Sequence, residues 1–252
     1  MKIAILLAGS GNRFGKLTKS NHKSLININS SFNTLNYLNH CLHNIEFKEL
    51  VFILGHCSHL LEKKVKLYFK KHLKKVKFVF VDDYKTSNNL NSMNCAKKYL
   101  VNNDFLIING DTIIPPSFLV NMIKNKNSGI SIQFSRSKIE APKVFLNKKG
   151  CVDIDRYSKK NGTSNLKFKG FMTGLLFINK KLSNFYFKQA ELLLKKNQDS
   201  VFYDPVIGVN KKYLDLIHQS GIWTDFDEIK DKKRVKLILE TILKLKRLNY
   251  LF

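Results

Sequence analysis

The residues best equipped for chemistry lie at the start of the chain. An apolar run, Ile3 to Ala8, ends in Gly9-Ser10-Gly11, with Arg13 and then Lys23 behind it. A short strand that runs into a glycine turn brings backbone N–H groups close to whatever sits at its end, since no Cβ blocks the approach and φ > 0 is open to glycine. Arg13 adds a planar fork of donors and Lys23 a point charge. Together they read as a cradle for a triphosphate. No Gly-Lys-Ser/Thr follows the glycines, so this is not a P-loop, and Phe14 stands where a dinucleotide-binding turn needs its third glycine. A second apolar run, Phe105 to Asn109, delivers Asp111 to a strand end, with Gly110 leaving room for a ligand beside it. Asp111 suits Mg²⁺, which takes one or two carboxylates together with phosphate oxygens and water.

These residues need a scaffold, and hydrophobic periodicity supplies one. Strands are expected over Lys2–Ala8, Glu49–Leu54, Lys77–Asp82 and Asp104–Asn109, and helices over Asn33–Asn44, Ser58–Lys71 and Leu90–Tyr99. Alternating strands and helices imply an α/β fold, a doubly wound and mostly parallel sheet that binds its ligands at the carboxyl ends of the strands. Gly9, the Asp82-Asp83-Tyr84 stretch and Gly110-Asp111 each follow a strand directly, so three candidate segments fall on one edge. Residues Ser131 to Asp155, with the turn Asn147-Lys-Lys-Gly150, read as a small excursion covering the second half of the site. A basic amphipathic helix is expected from about Lys230.

The chain has 252 residues and a formal net charge of +25, from 44 Lys and Arg against 19 Asp and Glu. Such a field attracts nucleotides, sugar phosphates, nucleic acid and anionic membrane alike. The basic residues are dispersed and show no nucleic-acid-binding pattern, so a nucleic-acid partner is not expected. No stretch reaches the ~20 apolar residues of a membrane helix, and the first apolar run reads as a strand and not a signal peptide. The four cysteines, at 41, 57, 95 and 151, lack metal or redox spacing. A cytoplasmic protein with reduced thiols is the expectation.

The first segment resembles the signature of the nucleotidyltransferase (nucleoside-diphosphate-sugar pyrophosphorylase) family, which runs Leu-Ala-Ala-Gly-x-Gly-x-Arg, then Thr, then Pro-Lys-x-Leu. Here it stands as Leu6-Leu7-Ala8-Gly9-Ser10-Gly11-Asn12-Arg13, Thr18, and His22-Lys23-Ser24-Leu25. It departs at two places. Leu7 replaces an alanine and would crowd the base; His22 replaces the proline, which loosens the turn before Lys23. Trp223-Thr-Asp225-Phe-Asp227 resembles the family's second acidic segment, which implies Asp227 as the partner of Asp111 on the metal, with Asp225 as the other choice and helix capping as the ordinary role for Asp227. Tyr84 to Met93, with Asn88, Asn89 and Ser92, resembles the base-reading stretch of the branch that activates choline phosphate and similar phospho-alcohols with CTP; the same residues suit an ordinary helix N-terminus. Lys169-Gly170-Phe171 and Tyr203-Asp204 resemble the acceptor-side segments, with Tyr203, Phe171 and Trp223 as a candidate aromatic wall for a quaternary ammonium group, or simply as core.

The resemblance implies a Rossmann-like, GT-A-like nucleotidyltransferase spanning residues 1–252. Its nucleotide-binding half would be 1–112, its acceptor half 113–229, and its terminal helix 230–252. It implies Mg²⁺-dependent transfer of a nucleoside monophosphate from CTP to a phosphocholine-like acceptor, with pyrophosphate released. Leu6 to Asn12 would line the nucleotide, Arg13 and Lys23 would carry the rate, and the chain would act as a monomer or homodimer away from membrane. Two other readings stand beside it: transfer from UTP or another triphosphate to a sugar 1-phosphate, and a non-catalytic nucleotide-binding regulator.

Overall fold

The computed structural model describes residues 1–134, 141–155, 166–196 and 199–247. The first half runs β1 (Lys2–Leu7), α1 (Thr34–Leu42), β2 (Glu49–Leu54), α2 (Ser58–Tyr68), β3 (Val76–Phe80), α3 (Asn89–Cys95), α4 (Lys97–Leu100) and β4 (Phe105–Asn109). The second runs β5 (Thr112–Ile113), α5 (Pro116–Lys124), β6 (Ser128–Gln133), β7 (Lys143–Asn147), β8 (Val152–Asp155), β9 (Leu166–Ile178), α6 (Lys180–Lys196), β10 (Leu214–His218), β11 (Thr224–Asp225) and α7 (Lys232–Arg247).

The main sheet has the order β10-β6-β9-β4-β1-β2-β3. Strands β1, β2, β3 and β4 are mutually parallel, with Leu7 opposite Leu54 and Leu6 opposite Asn109. The long β9 runs antiparallel to both β4 and β6, so β6 and β10 again point the same way as β1. The carboxyl ends of β1, β2, β3, β4, β6 and β10 therefore share one edge. Strands β7 and β8 pair with each other and β7 with the first part of β9, within the span expected as an excursion, although Ser131–Gln133 belong to β6 of the main sheet; residues 135–140 lie outside the described residues. A separate two-stranded ribbon pairs β11 with β5.

Alternation along each strand fills a core on both faces of the sheet. Ile3, Ile5, Leu7, Phe52, Leu106 and Ile108 pack on one side under α1, α2, α5 and α7; Ala4, Val51, Ile53, Phe105 and Ile107 pack on the other under α3, α4 and α6. Among the described residues no helix is long and apolar enough to cross a membrane. All four expected helices differ from their expected spans, the first only in starting at Thr34 behind its Asn33 cap and ending at Leu42. The helix from Ser58 ends at Tyr68 and tightens into a 3-10 turn, Lys70–Lys75, where the buried Phe69 anchors the change of direction. The helix expected over Leu90–Tyr99 breaks at Ala96, whose N–H bonds back to Met93 and Asn94. The last helix starts at Lys232, after a 3-10 turn at Ile229–Asp231.

Gly110 shows how tightly the site edge is assembled. Its N–H donates to the Leu6 carbonyl at 3.0 Å, and a Cβ built there would fall inside the Leu7 side chain and 2.6 Å from the Leu6 carbonyl oxygen. The direction a side chain would take at Gly110 is thus filled by Leu7, while the glycine itself borders the open edge. Gly110→Ala should cost about 1–3 kcal/mol in denaturant unfolding, as overpacking does. Adding Leu7→Ala should recover only part of it, because the carbonyl clash remains.

Candidate functional site

The segment after β1 forms the phosphate-binding candidate. The left-handed backbone falls at Gly11, with φ 65°, rather than at Gly9, and it starts a 3-10 turn over Asn12–Thr18. A Cβ on Gly11 would approach the Lys23 Cβ to 3.2 Å, so this glycine lets the lysine stem run alongside the loop. Gly9 is bare for a different reason: no atom lies within 4 Å of the place its Cβ would take. Thr18 Oγ1 donates to the Gly11 and Gly15 carbonyls at 3.0 and 3.3 Å, which gives the signature threonine a loop-closing role. Arg13 sits exposed on that turn. The following Phe14 is buried against Phe226, edge to face, with centroids 4.9 Å apart.

Phe226 lies between the two later acidic candidates, so this ring pair fastens the glycine loop to the second acidic segment. The Phe226 N–H donates to the Asp111 carbonyl at 2.9 Å, and Thr112 Oγ1 donates to Asp225 Oδ1 at 2.9 Å. Lys23 Nζ reaches Asp111 Oδ2 at 2.5 Å and Asp227 Oδ1 at 4.0 Å. Burial works against the lysine's charge, but the carboxylates of Asp111, Asp227 and Asp225 outweigh it and hold the ammonium's pKa above its ordinary value. One oxygen of Asp225 is held by Thr112, while Asp227 Oδ1 lies within ion-pair distance of Lys23 beside Asp111. Glu228 caps the next turn, Ile229–Asp231, in a reciprocal pair with Asp231.

The lysine ammonium stands where two carboxylates converge, which is where a divalent cation would sit. Among the described residues no three His, Cys, Asp or Glu side chains gather as a metal cage. Asp111 and Asp227 nevertheless fit Mg²⁺, which needs few protein ligands when phosphate oxygens supply the rest.

His22 does not loosen the turn before Lys23. Its ring is fully buried, and Nδ1 accepts from the Ser24 N–H at 3.1 Å and lies 2.7 Å from Ser24 Oγ, capping the 3-10 turn Lys23–Leu25. Burial first, then Lys23 and His56, push its pKa down to about 3.

An open cleft with about 610 Å³ of empty space runs along this edge. Its walls include Leu6, Ala8, Gly9, Lys23, Asn88, Asn89, Ser92 and Asp111. Leu7 also borders it, but its side chain belongs to the core layer on the other face of the sheet from Met93 and the packed ring of Tyr84, so it does not crowd the Asn88–Ser92 side. Asn88 caps α3 by accepting from the Asn91 N–H at 2.9 Å, and Asn89 Oδ1 accepts from the Phe202 N–H at 2.8 Å. Helix capping and cleft lining are both true of this stretch. Gly170, Phe171, Tyr203, Asp204 and Trp223 lie outside the cleft lining. The three rings do not form one wall, because Tyr203 is buried in one core layer beside Phe202 while Trp223 is buried in the other. Asp204 accepts from the Val201 N–H at 2.9 Å within its own turn.

His56, which no spacing in the sequence singles out, follows β2 and Gly55 on the same edge. Its N–H donates to the Ala8 carbonyl at 3.0 Å, and its ring Nε2 lies 2.6 Å from the Thr18 carbonyl. The signal was present: Gly55-His56 ends a strand just as Gly9 and Gly110 do. Tyr84, Ser87 and Asn109 also line the cleft.

No protein-family model and no curated protein matches the chain in sequence. Solved structures do match. A CTP:phosphocholine cytidylyltransferase from Streptococcus pneumoniae superposes with a TM-score of 0.67 at 18% identity, over 94% of this chain and 98% of that one. An inositol-1-phosphate CTP transferase from T. maritima gives 0.72 at 17% identity, over 96% and 95%. The chain has the nucleotidyltransferase fold. A UDP-glucose pyrophosphorylase complexed with UDP-glucose shares that fold with a TM-score of 0.73 at 15% identity, over 95% and 98% of the two chains.

Two expectations follow from the charges at this edge. Replacing Lys23 by Met should tighten Mg²⁺ binding to the nucleotide-free chain by about tenfold or more, because an ammonium within 4–6 Å no longer competes for the carboxylates. Titration calorimetry reads this directly, and equal affinities would mean that the ion pair does not persist in solution. His22 takes up a proton more readily unfolded than folded, so its contribution to stability is full above about pH 6.5 and falls as the pH drops toward about 3. Denaturant unfolding across that range should show the slope, and His22→Asn should flatten it.

Proposed function

We propose that the chain is a Mg²⁺-dependent nucleotidyltransferase that moves a nucleoside monophosphate from a triphosphate to a phosphorylated small-molecule acceptor and releases pyrophosphate. The observation that carries the reading is Lys23, set between Asp111 and Asp227 beside the glycine loop. A cation, two carboxylates and a row of backbone donors at one strand edge suit in-line attack on a phosphorus atom. An acceptor phosphate is already an anionic nucleophile near neutral pH, its second pKa being about 6, so no general base is required.

In this reading an oxygen of the acceptor phosphate forms a bond to the α-phosphorus while the bond to the bridging oxygen of the β-phosphate breaks. Lys23 lies between the two phosphates and lowers their repulsion. Arg13 and the N–H groups of Gly9 to Asn12 hold the departing pyrophosphate. Asp111 and Asp227 would hold Mg²⁺, which would supply charge neutralisation at the triphosphate. Asn88, Asn89 and Ser92 offer donors and acceptors to base and ribose. CTP with a phosphocholine-like phospho-alcohol is our preferred pair, on the resemblance of residues 84–93 to that branch. A sugar 1-phosphate is the second reading, favoured by the comparable superposition on UDP-glucose pyrophosphorylase.

The test is pyrophosphate release with Mg²⁺, crossing four ribonucleoside triphosphates with choline, ethanolamine and glycerol phosphates and several sugar 1-phosphates. Release with one pair, abolished in Asp111→Ala, supports the proposal and names both substrates. Lys23→Ala should lower kcat by about 10²–10³-fold, the scale of one lost electrostatic contact; Arg13→Ala should raise the triphosphate KM and slow turnover together. Both variants near wild-type activity would overturn the assignment. Nucleotide binding without turnover would favour the regulatory reading.

A further inference from the structure

His22 does more than cap a turn. Its Nδ1 receives the Ser24 N–H, so that nitrogen must present a lone pair, and a neutral imidazole then carries its proton on Nε2. The ring stays neutral at any ordinary pH, since burial keeps its pKa near 3. The Nε2–H is therefore a fixed donor. It is fully buried and directed at the main chain of Leu7 and Gly9, which it meets only loosely, short of full hydrogen-bond geometry. A buried donor left without a partner costs about 1–3 kcal/mol, so its retention under the glycine loop calls for a compensating use.

We propose that His22 is a positioning residue for the nucleotide, bracing the glycine loop from beneath through its Nε2–H toward the carbonyls of Leu7 and Gly9. The inference rests on the nucleotide reading above. Its physical basis is the planar trans peptide, in which C=O and the next N–H point in opposite directions. Drawing the Gly9 carbonyl toward the ring aims the Ser10 N–H the other way, into the cleft. Drawing the Leu7 carbonyl down aims the Ala8 N–H likewise. The brace closes fully when the loop tightens on phosphate, which satisfies the donor in the bound state. A proline at this position fixes the chain direction but has no such donor, so only this chain can fasten its loop by a hydrogen bond from beneath when phosphate binds.

Two substitutions separate cap from brace. His22→Asn places an acceptor where Nδ1 stands and keeps the cap on Ser24, but cannot reach the loop. His22→Gln extends a donor toward the Nε2 position and gives up the cap. Triphosphate binding by calorimetry and steady-state KM and kcat are measured with stability in parallel. The brace predicts about tenfold weaker triphosphate binding and a matching rise in KM for His22→Asn, with kcat within about threefold at a temperature where the variant is fully folded. His22→Gln should restore the affinity while unfolding at lower denaturant. Equal affinity in wild type and His22→Asn, or equal losses in both variants, overturns the proposal. ¹⁵N NMR of the unmodified chain checks the tautomer without any variant, and a proton on Nδ1 would also overturn it. Absence of nucleotide binding in the wild type would instead sink the functional reading on which the brace depends.

Discussion

The ion pair between Lys23 and Asp111, with Asp227 close by, is the constraint on which the site edge depends. Partly buried charges must be compensated, and each partner here arrives by a different route. Lys23 comes from the turn capped by His22, Asp111 from the end of β4, and Asp227 from the segment after β11. The β5–β11 ribbon, the Phe226 N–H to Asp111 carbonyl bond and the Phe14–Phe226 ring pair all hold these routes in register. A shift in any of them would leave a half-buried charge without its partner. The same arrangement makes chemical sense of a lysine that can exchange a carboxylate for a phosphate.

Around that cluster the loop is braced from several sides. Thr18 closes it on itself, His56 lies against the Thr18 carbonyl, and the His56 N–H ties Ala8 to the end of β2. These contacts engage the carbonyls of Ala8, Gly11, Gly15 and Thr18, and a glycine turn held by its carbonyls suits an anion at its N–H side. The overall charge of +25 acts in the same sense, drawing anions toward the molecule without choosing among them.

Much of the site was legible because strand-then-glycine is a local pattern. Gly9, Gly110 and Asp111 follow apolar runs that could only be buried strands, and the edge they share follows from parallel pairing. His56 carried the same mark after β2 and went unread, since a lone histidine has no spacing to announce it. Leu7 and His22, read as departures that would crowd or loosen, turned out to be accommodated: one fills the space over Gly110, the other caps its turn with its own ring. Both outcomes depend on neighbours far away in the chain or on the geometry of a side chain, and no periodicity reports either.

The sequence by itself determined the alternation of strands and helices, the glycine loop and the charged residues at its end, because these rest on local patterns with periods of two and 3.6 residues. Tertiary structure alone decided which carboxylate meets Lys23 and which turns to Thr112. It also decided that Tyr203 and Trp223 lie on opposite faces of one sheet and so cannot form a single aromatic wall. Such pairings follow from sheet order and from the antiparallel course of β9, and those are settled by long-range packing that local residue patterns do not encode.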